Sequence, residues 1–129
     1  MDFFDVAIIG GGASGCVLAC MLAKGGKKVC VVDKNQSLAT KLLVTGNGRC
    51  NITNENMCSD FYNVNIDNFL KQFNQNHTKN FFAEMGIEIY ADDEGRCYPI
   101  SNTAKSVVFA TNNSLQKNKV TSFCGEEVL

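Results

Sequence analysis

Apolar residues in this chain come in short runs whose period changes along its length. Val6-Ala7-Ile8-Ile9, following Asp5, is an apolar run of strand length, and Val29-Cys30-Val31-Val32 is a second. Between them Val17, Leu18, Met21 and Leu22 recur at helical spacing over Ala13 to Lys24, and Gly25-Gly26 supplies the stop. A strand, a helix and a strand in that order predict a parallel pair with a right-handed crossover. Gln36 to Asn54 is less regular. Leu42, Leu43 and Val44 make a short apolar element there, and Thr45-Gly46-Asn47-Gly48 reads as a loop.

Farther on, Ile66, Phe69, Leu70 and Phe73 predict a helix over Asn65 to Asn76, with Asp67 in its first turn. A second helix is expected from Thr78 to Met85, burying Phe81, Phe82 and Met85 and stopped by Gly86. Ile87 to Tyr90 alternates like a strand, Asp92 to Gly95 turns, and Arg96 to Pro99 returns as a hairpin. Ser101 is the expected N-cap of a helix from Thr103 to about Leu115 that turns Val107, Val108 and Ala110 inward. Lys119 to Phe123 reads as a final strand.

The junction of the first strand and helix carries the chemistry. Gly10-Gly11-Gly12-Ala13-Ser14-Gly15 is a G-x-G-x-x-G directly after a strand, and Asp33 closes the next strand. That combination is the dinucleotide-binding fingerprint in its expected context. Gly10 permits a sharp turn off the strand, Gly12 lets a pyrophosphate approach the main chain, and Gly15 lets the helix lie close to the sheet. From Ala13 onward the free N–H groups and the positive end of the helix dipole point at the phosphates, and Ser14 adds a hydroxyl donor. Asp33 lies about 20 residues beyond the glycines, the usual place for the acid that accepts ribose hydroxyls. An acid there repels a 2′-phosphate, which favours FAD or NAD over NADP. Lys34 and Lys41 are candidates for the adenosine or pyrophosphate side.

Composition narrows the classes. The 129 residues make one domain the default, and a chain of that size buries about two thirds of its unfolded surface. A net charge of −1 gives no electrostatic reason to expect nucleic acid or an anionic membrane, and the apolar runs are far shorter than a membrane span. The start carries no basic residue before Asp5 and does not read as a secretory signal. Seven cysteines without a C-x-x-C pair argue against a zinc site and for reduced thiols in a cytoplasmic protein. His77, the single histidine, is expected to be exposed at a helix start, and no Ser/His/Asp set or carboxylate pair stands out as catalytic.

A second block, Lys41-Leu42-Leu43-Val44-Thr45-Gly46-Asn47-Gly48-Arg49-Cys50-Asn51, has two glycines that let backbone wrap a bulky ligand closely. Arg49 can neutralise a phosphate or a negatively charged flavin, and Thr45, Asn47 and Asn51 can fix polar edges. Beside a cation, Cys50 would gain thiolate character and could be redox-active; a packing role is the alternative favoured for an isolated cysteine. A third block, Gly95-Arg96-Cys97-Tyr98-Pro99-Ile100-Ser101, reads as a turn that leads into the following helix.

In this order the three blocks resemble the N-terminal part of a bacterial family of FAD-dependent oxidoreductases, the aminoacetone oxidase-like and bile-acid reductase-like flavoproteins. The resemblance implies an α/β, Rossmann-like FAD/NAD(P)-binding fold with a mainly parallel sheet, and residues 55–101 as a helical and hairpin excursion. It implies FAD as cofactor, with NAD(P)H as a candidate electron donor and a small organic molecule as substrate. Gly10, Gly12, Ala13, Ser14, Gly15, Asp33 and Lys34 would contact the adenosine diphosphate. Lys41, Thr45, Gly46, Asn47, Gly48, Arg49, Cys50 and Asn51 would lie on the flavin side. Members of that family are much longer, so the chain is expected to be an N-terminal portion, lacking the distal glycine-rich half of the pocket and the substrate domain. Asp33 stands where relatives commonly carry Glu, an exchange that keeps the acceptor. An NAD-dependent dehydrogenase and a non-catalytic dinucleotide-binding fragment are the alternatives. Substrate and oligomeric state are not legible.

Overall fold

The computed structural model describes residues 3–129. Its centre is a parallel sheet of β1 (Val6–Ile9), β2 (Val29–Asp33) and β6 (Thr121–Cys124), in the order β1-β2-β6. Ile8 pairs with Val31, and Val31 with Ser122, so β2 is the middle strand. Its Val29, Cys30 and Val31 are buried accordingly. Helix α1 (Ala13–Lys24) joins β1 to β2, and a longer helix near the end of the chain, described below, leads into β6. These two helices pack together, and Cys20 Sγ donates to Ser114 Oγ across their contact at 3.6 Å. The main core joins Ile8, Val29 and Val31 of the sheet to Cys16, Ala19 and Cys20 of α1, with Leu38 and Leu115 closing it.

A second, antiparallel sheet orders β3 (Thr53–Asn54), β5 (Arg96–Pro99) and β4 (Ile89–Ala91) as β3-β5-β4. The turn of its hairpin is held by Asp92, whose carboxylate accepts from the Glu94 and Arg96 amides, while Gly95 takes φ +77°. Helices α2 (Asp67–Gln72) and α3 (Gln75–Ala83) fill the segment between β3 and β4. Helix α4 (Ala104–Lys117) is the one that leads into β6, and it buries Ala104, Val107, Thr111, Ser114 and Leu115.

The α/β fold and the parallel pair agree with the sequence pattern, and α1 spans the residues predicted for it. Several details differ, among them α3, which begins at Gln75 rather than Thr78, and β4, which begins at Ile89 rather than Ile87. The helix expected over Asn65 to Asn76 spans only Asp67 to Gln72, because the Asn74 side chain accepts from the Asn76 and His77 amides and starts α3 afresh. His77 completes that cap by accepting from the Asn74 amide through Nδ1, exposed as expected. The N-cap of α4 is Thr103, not Ser101, whose hydroxyl instead bonds that of Ser106. The last strand begins at Thr121 rather than Lys119, since Lys119 takes a left-handed φ of +57°. Leu42 to Val44 belong to a 3-10 helix, Thr40–Gly48, whose backbone breaks at Thr45, Gly46 and Asn47. On α1 the buried face is Cys16, Ala19 and Cys20, while Leu18 and Met21 are about half exposed.

Candidate functional site

Strand β1 ends at a turn built for close approach. Gly10 takes φ +98°, and its amide still donates to the Val32 carbonyl at 2.8 Å, so the turn begins while the strands are paired. A Cβ on Gly15 would lie 1.9 Å from the Gly10 carbonyl oxygen, so only glycine lets α1 start this close to β1. A Cβ on Gly12, by contrast, would meet nothing within 4 Å. Gly12 caps α1 without a side-chain hydrogen bond, and no acid sits in the first turn. The first amides of α1 therefore face open space with the positive end of the helix dipole behind them, an arrangement suited to an anion. The room at Gly12 and the lack of a competing cap fit a diphosphate.

Asp33 reaches this turn from the end of β2. Its Oδ2 accepts from the Gly11 amide at 2.6 Å and its Oδ1 from the Asn35 amide at 2.7 Å. These two bonds, Asn35 first, hold the carboxyl below the usual aspartate range. The acid is thus ionised, oriented and on the same side of the sheet as the glycines. Gly11 is fixed at both ends, since its carbonyl accepts from the Ala39 amide at 2.7 Å. Leu38 occupies the place of its missing side chain: a Cβ on Gly11 would fall 2.2 Å from Leu38 Cδ2. The motif leaves its middle position unspecified, so it does not mark Gly11 as a site residue. A third glycine in the run was the available signal.

Gly10, Asp33 and Lys34 line a cleft of about 310 Å³ at the carboxyl ends of the sheet strands, with Ile9, Asn35 and the segment Glu126–Val128. Ligands of open parallel sheets bind at this end. The Glu126 amide donates to the Asp33 carbonyl at 3.1 Å, and Glu127 lies 3.9 Å from Lys34. Nothing in the local pattern of Glu126 to Val128 marks them; their place follows from β6 joining β2.

The second block meets α1 elsewhere. Ala13 and Ser14 share an apolar cleft of about 490 Å³ with Cys50 and Asn51, which Leu18, Met21 and Phe82 also line. Lys41, Thr45, Gly46, Asn47, Gly48 and Arg49 line neither cleft. The loop carries left-handed φ values at Gly46, Asn47, Gly48 and Cys50. Cys50 is buried, its amide donates to the Thr45 carbonyl, and burial pushes its thiol up from the ordinary value, only partly offset by the Thr45 hydrogen bond. The direction is opposite to the thiolate character that a neighbouring cation would give and agrees with the favoured packing role: Arg49 turns its guanidinium over the Tyr98 ring, 4.1 Å from the centroid. Packing is what the Cys50 side chain does. No group of metal-ligating side chains forms among the described residues, and none of their helices is long and apolar enough to cross a membrane.

The HI0933-like protein Rossmann domain family matches residues 4–129. The chain is similar to a 3-dehydro-bile acid delta(4,6)-reductase of Clostridium scindens, 38% identical over 95% of this chain and 31% of that protein. It is also similar to a ribosomal RNA dihydrouridine synthase of Escherichia coli, 28% identical over all of this chain and 33% of that protein. The chain thus spans about a third of the length of these curated relatives. Among solved structures, THI4 of Thermovibrio ammonificans superposes with a TM-score of 0.63 at 20% identity, covering 94% of this chain and 38% of that one. Glycine oxidase of Bacillus cereus does so with 0.53 at 16% identity, covering 98% and 47%. At such identities these two bear on the fold alone. The chain belongs to the HI0933-like family, and its parallel sheet with the glycine turn is that family's Rossmann domain.

Proposed function

We propose that this chain forms the adenine-dinucleotide part of an FAD-dependent reductase, and that the intact protein acts on a small organic substrate. One observation carries the reading: the Asp33 carboxylate, 2.6 Å from the Gly11 amide, stands beside the uncapped start of α1. In the proposal the α1 amides from Ala13 to Gly15 receive the diphosphate, with Gly12 leaving the approach open and Ser14 adding a donor. Asp33 accepts the ribose hydroxyls through its remaining lone pairs and disfavours a 2′-phosphate by charge repulsion. Gly10 and Lys34 line the adenosine side. Lys41 and Thr45 to Asn51 face the flavin side, Arg49 as the cation. Bound FAD would supply two-electron hydride chemistry, with NAD(P)H as its proposed donor. A small substrate is favoured because the bile-acid reductase shares 38% identity over 95% of this chain, against 28% for the ribosomal RNA enzyme of Escherichia coli and 34%, over only 75% of this chain, for that of Haemophilus influenzae. The net charge of −1 describes this segment only and does not by itself exclude a nucleic-acid substrate for the whole.

Titration of the purified chain with FAD, ADP-ribose, NAD and NADP tests the reading. Binding of FAD and ADP-ribose, with NADP bound weakly, is expected, and FAD carried through purification would show as visible absorbance. Binding of NAD without FAD would favour the dehydrogenase alternative, and binding of none would overturn the reading.

A further inference from the structure

Tyr98 belongs to the second sheet, outside both clefts. It sits in β5, paired across the hairpin with Tyr90, and is almost fully buried. Burial of a tyrosine ring in a small sheet needs no explanation beyond packing. Two of its neighbours, however, belong to the Thr45–Asn51 loop. The Arg49 guanidinium carbon lies 4.1 Å from the ring centroid, and Arg49 Nη2 donates to Tyr98 Oη at 3.3 Å. The ring edge also abuts Gly46, where a Cβ would come within 3.2 Å of Tyr98 Cε1. One ring therefore braces the loop at Gly46, where its left-handed run begins, and at the charged side chain three residues later. Tyr98 is itself supported by Tyr90, whose ring centroid lies 6.0 Å away and whose Oη donates to Asn102 Oδ1.

Arg49 is held without being neutralised. Among the described residues no carboxylate lies within ion-pair distance of it, although the other arginine, Arg96, pairs with both Asp92 and Glu94. Stacking on an aromatic face orients a guanidinium and removes rotamer freedom while leaving its charge uncompensated. A cation so held is pre-organised for an anionic ligand.

We infer that Tyr98 is a positioning residue whose ring fixes the Arg49 guanidinium, unpaired, for the anionic charge of the flavin cofactor. The inference rests on the proposal that the Thr45–Asn51 block faces the flavin. Tyr98 acts on the flavin through Arg49, with its contact at Gly46 steadying the same loop, and this distinguishes it from a residue that merely fills the hairpin.

The test is a double-variant cycle on the full 129-residue chain, reading FAD affinity by flavin fluorescence and the midpoint potential of the bound flavin. Arg49→Leu is expected to weaken FAD about tenfold and to lower the potential, since the reduced flavin bears more negative charge. Tyr98→Leu is expected to weaken it about fivefold in the same direction. The double variant is expected to match Arg49→Leu alone, because a positioning residue has nothing left to position. Losses that multiply, or a Tyr98→Leu chain that keeps the parent potential, would overturn the inference. Arg49→Lys covers the case in which Tyr98→Leu does not fold. It keeps the charge but cannot stack as a plane, and it should behave like Tyr98→Leu; parent-like behaviour would overturn the inference. An Arg49→Leu chain with parent affinity, or a parent chain that does not bind FAD, defeats the flavin-side reading itself and the inference with it.

Discussion

Gly15 and Gly12 stand three residues apart in one motif, and the geometry assigns them opposite consequences. Replacing Gly15 by Ala puts a methyl carbon 1.9 Å from the Gly10 carbonyl oxygen, both on rigid backbone. Carbon and oxygen settle at about 3.3 Å or more, so α1 must recede by roughly 1.4 Å. Cys16, Ala19 and Cys20, all fully buried against the sheet and α4, move with it. A gap of 0.5–1 Å already forfeits about a quarter to a half of each dispersion contact, and overpacking alone costs about 1–3 kcal/mol. Together these give roughly 3–5 kcal/mol, a large share of a typical domain stability of about 5–15 kcal/mol. The expected fall in melting temperature is about 10–20 °C. Gly12→Ala meets nothing within 4 Å, and its φ of −75° is ordinary for any residue. The apo chain should melt within about 2 °C of the parent, or slightly higher from reduced unfolded-state freedom. Its methyl group instead projects where a diphosphate would approach the α1 amides, so ADP-ribose affinity should fall at least about tenfold, or 1.4 kcal/mol. Thermal unfolding of the apo chains and calorimetric titration with ADP-ribose separate the two effects. A Gly15→Ala chain with the parent's melting temperature would refute the packing argument. A Gly12→Ala chain that binds as the parent does would refute the phosphate argument.

Two further outcomes follow from the titratable groups. Asp33→Asn should weaken ADP-ribose binding about tenfold at neutral pH. Its folded pKa lies below the unfolded value of about 3.9, so its stabilising contribution is complete above that value and is lost as pH falls through the folded one. The stability gap between parent and variant, followed by urea unfolding, should be constant near neutrality and close in acid; a gap that widens in acid would contradict the amide bonds to Gly11 and Asn35. Thiol labelling should separate the cysteines by burial. Cys16, pushed up to about 12 by burial, and the buried Cys20, Cys30, Cys50 and Cys97 should resist labelling in the native chain. The half-buried Cys58 and Cys124 should react first, and a Cys50 as fast as Cys58 would contradict its packing role.

The first strand–helix–strand unit is legible because its signals are local and agree: an apolar run, a glycine turn, a helical period, a double-glycine stop and a second run. The hairpin is legible for the same reason, with Asp92 and Gly95 holding its turn. Other features are set by partners distant in sequence. β3 is two residues long, too short to carry an alternation, and exists because Thr53 and Asn54 pair with Cys97 and Arg96. The break between α2 and α3 depends on an Asn–His cap, which lacks the Ser/Thr and Glu of the usual capping signature. Gly11 joins the candidate site through tertiary bonds to Asp33 and Ala39, and Glu126 to Val128 through the Gly125 and Glu126 amides, which donate to the Asn35 and Asp33 carbonyls, none adjacent in the chain.

The choice of buried face on α1 has its cause in the same motif. Hydrophobic periodicity assumes that the largest apolar side chains face the core. That holds when helix and sheet sit at an ordinary separation, where large side chains fill the gap. Gly15 removes the separation at the start of α1, bringing the backbone of the helix against the Gly10 carbonyl. Little room is left beyond it, and the residues that fit are Cys16, Ala19 and Cys20, all fully buried. Cys16 even spends its thiol on the Gly11 carbonyl, 3.3 Å away. Leu18 and Met21 are displaced to the outer side, where they line the apolar cleft with Cys50, Ile52 and Phe82. The glycine spacing that prepares a helix for a diphosphate therefore dictates small residues on its inner face and sends the large ones outward. In a G-x-G-x-x-G helix the position after the last glycine, and those one turn along from it, should be sought among alanine and cysteine, whatever the hydrophobic pattern of the larger residues.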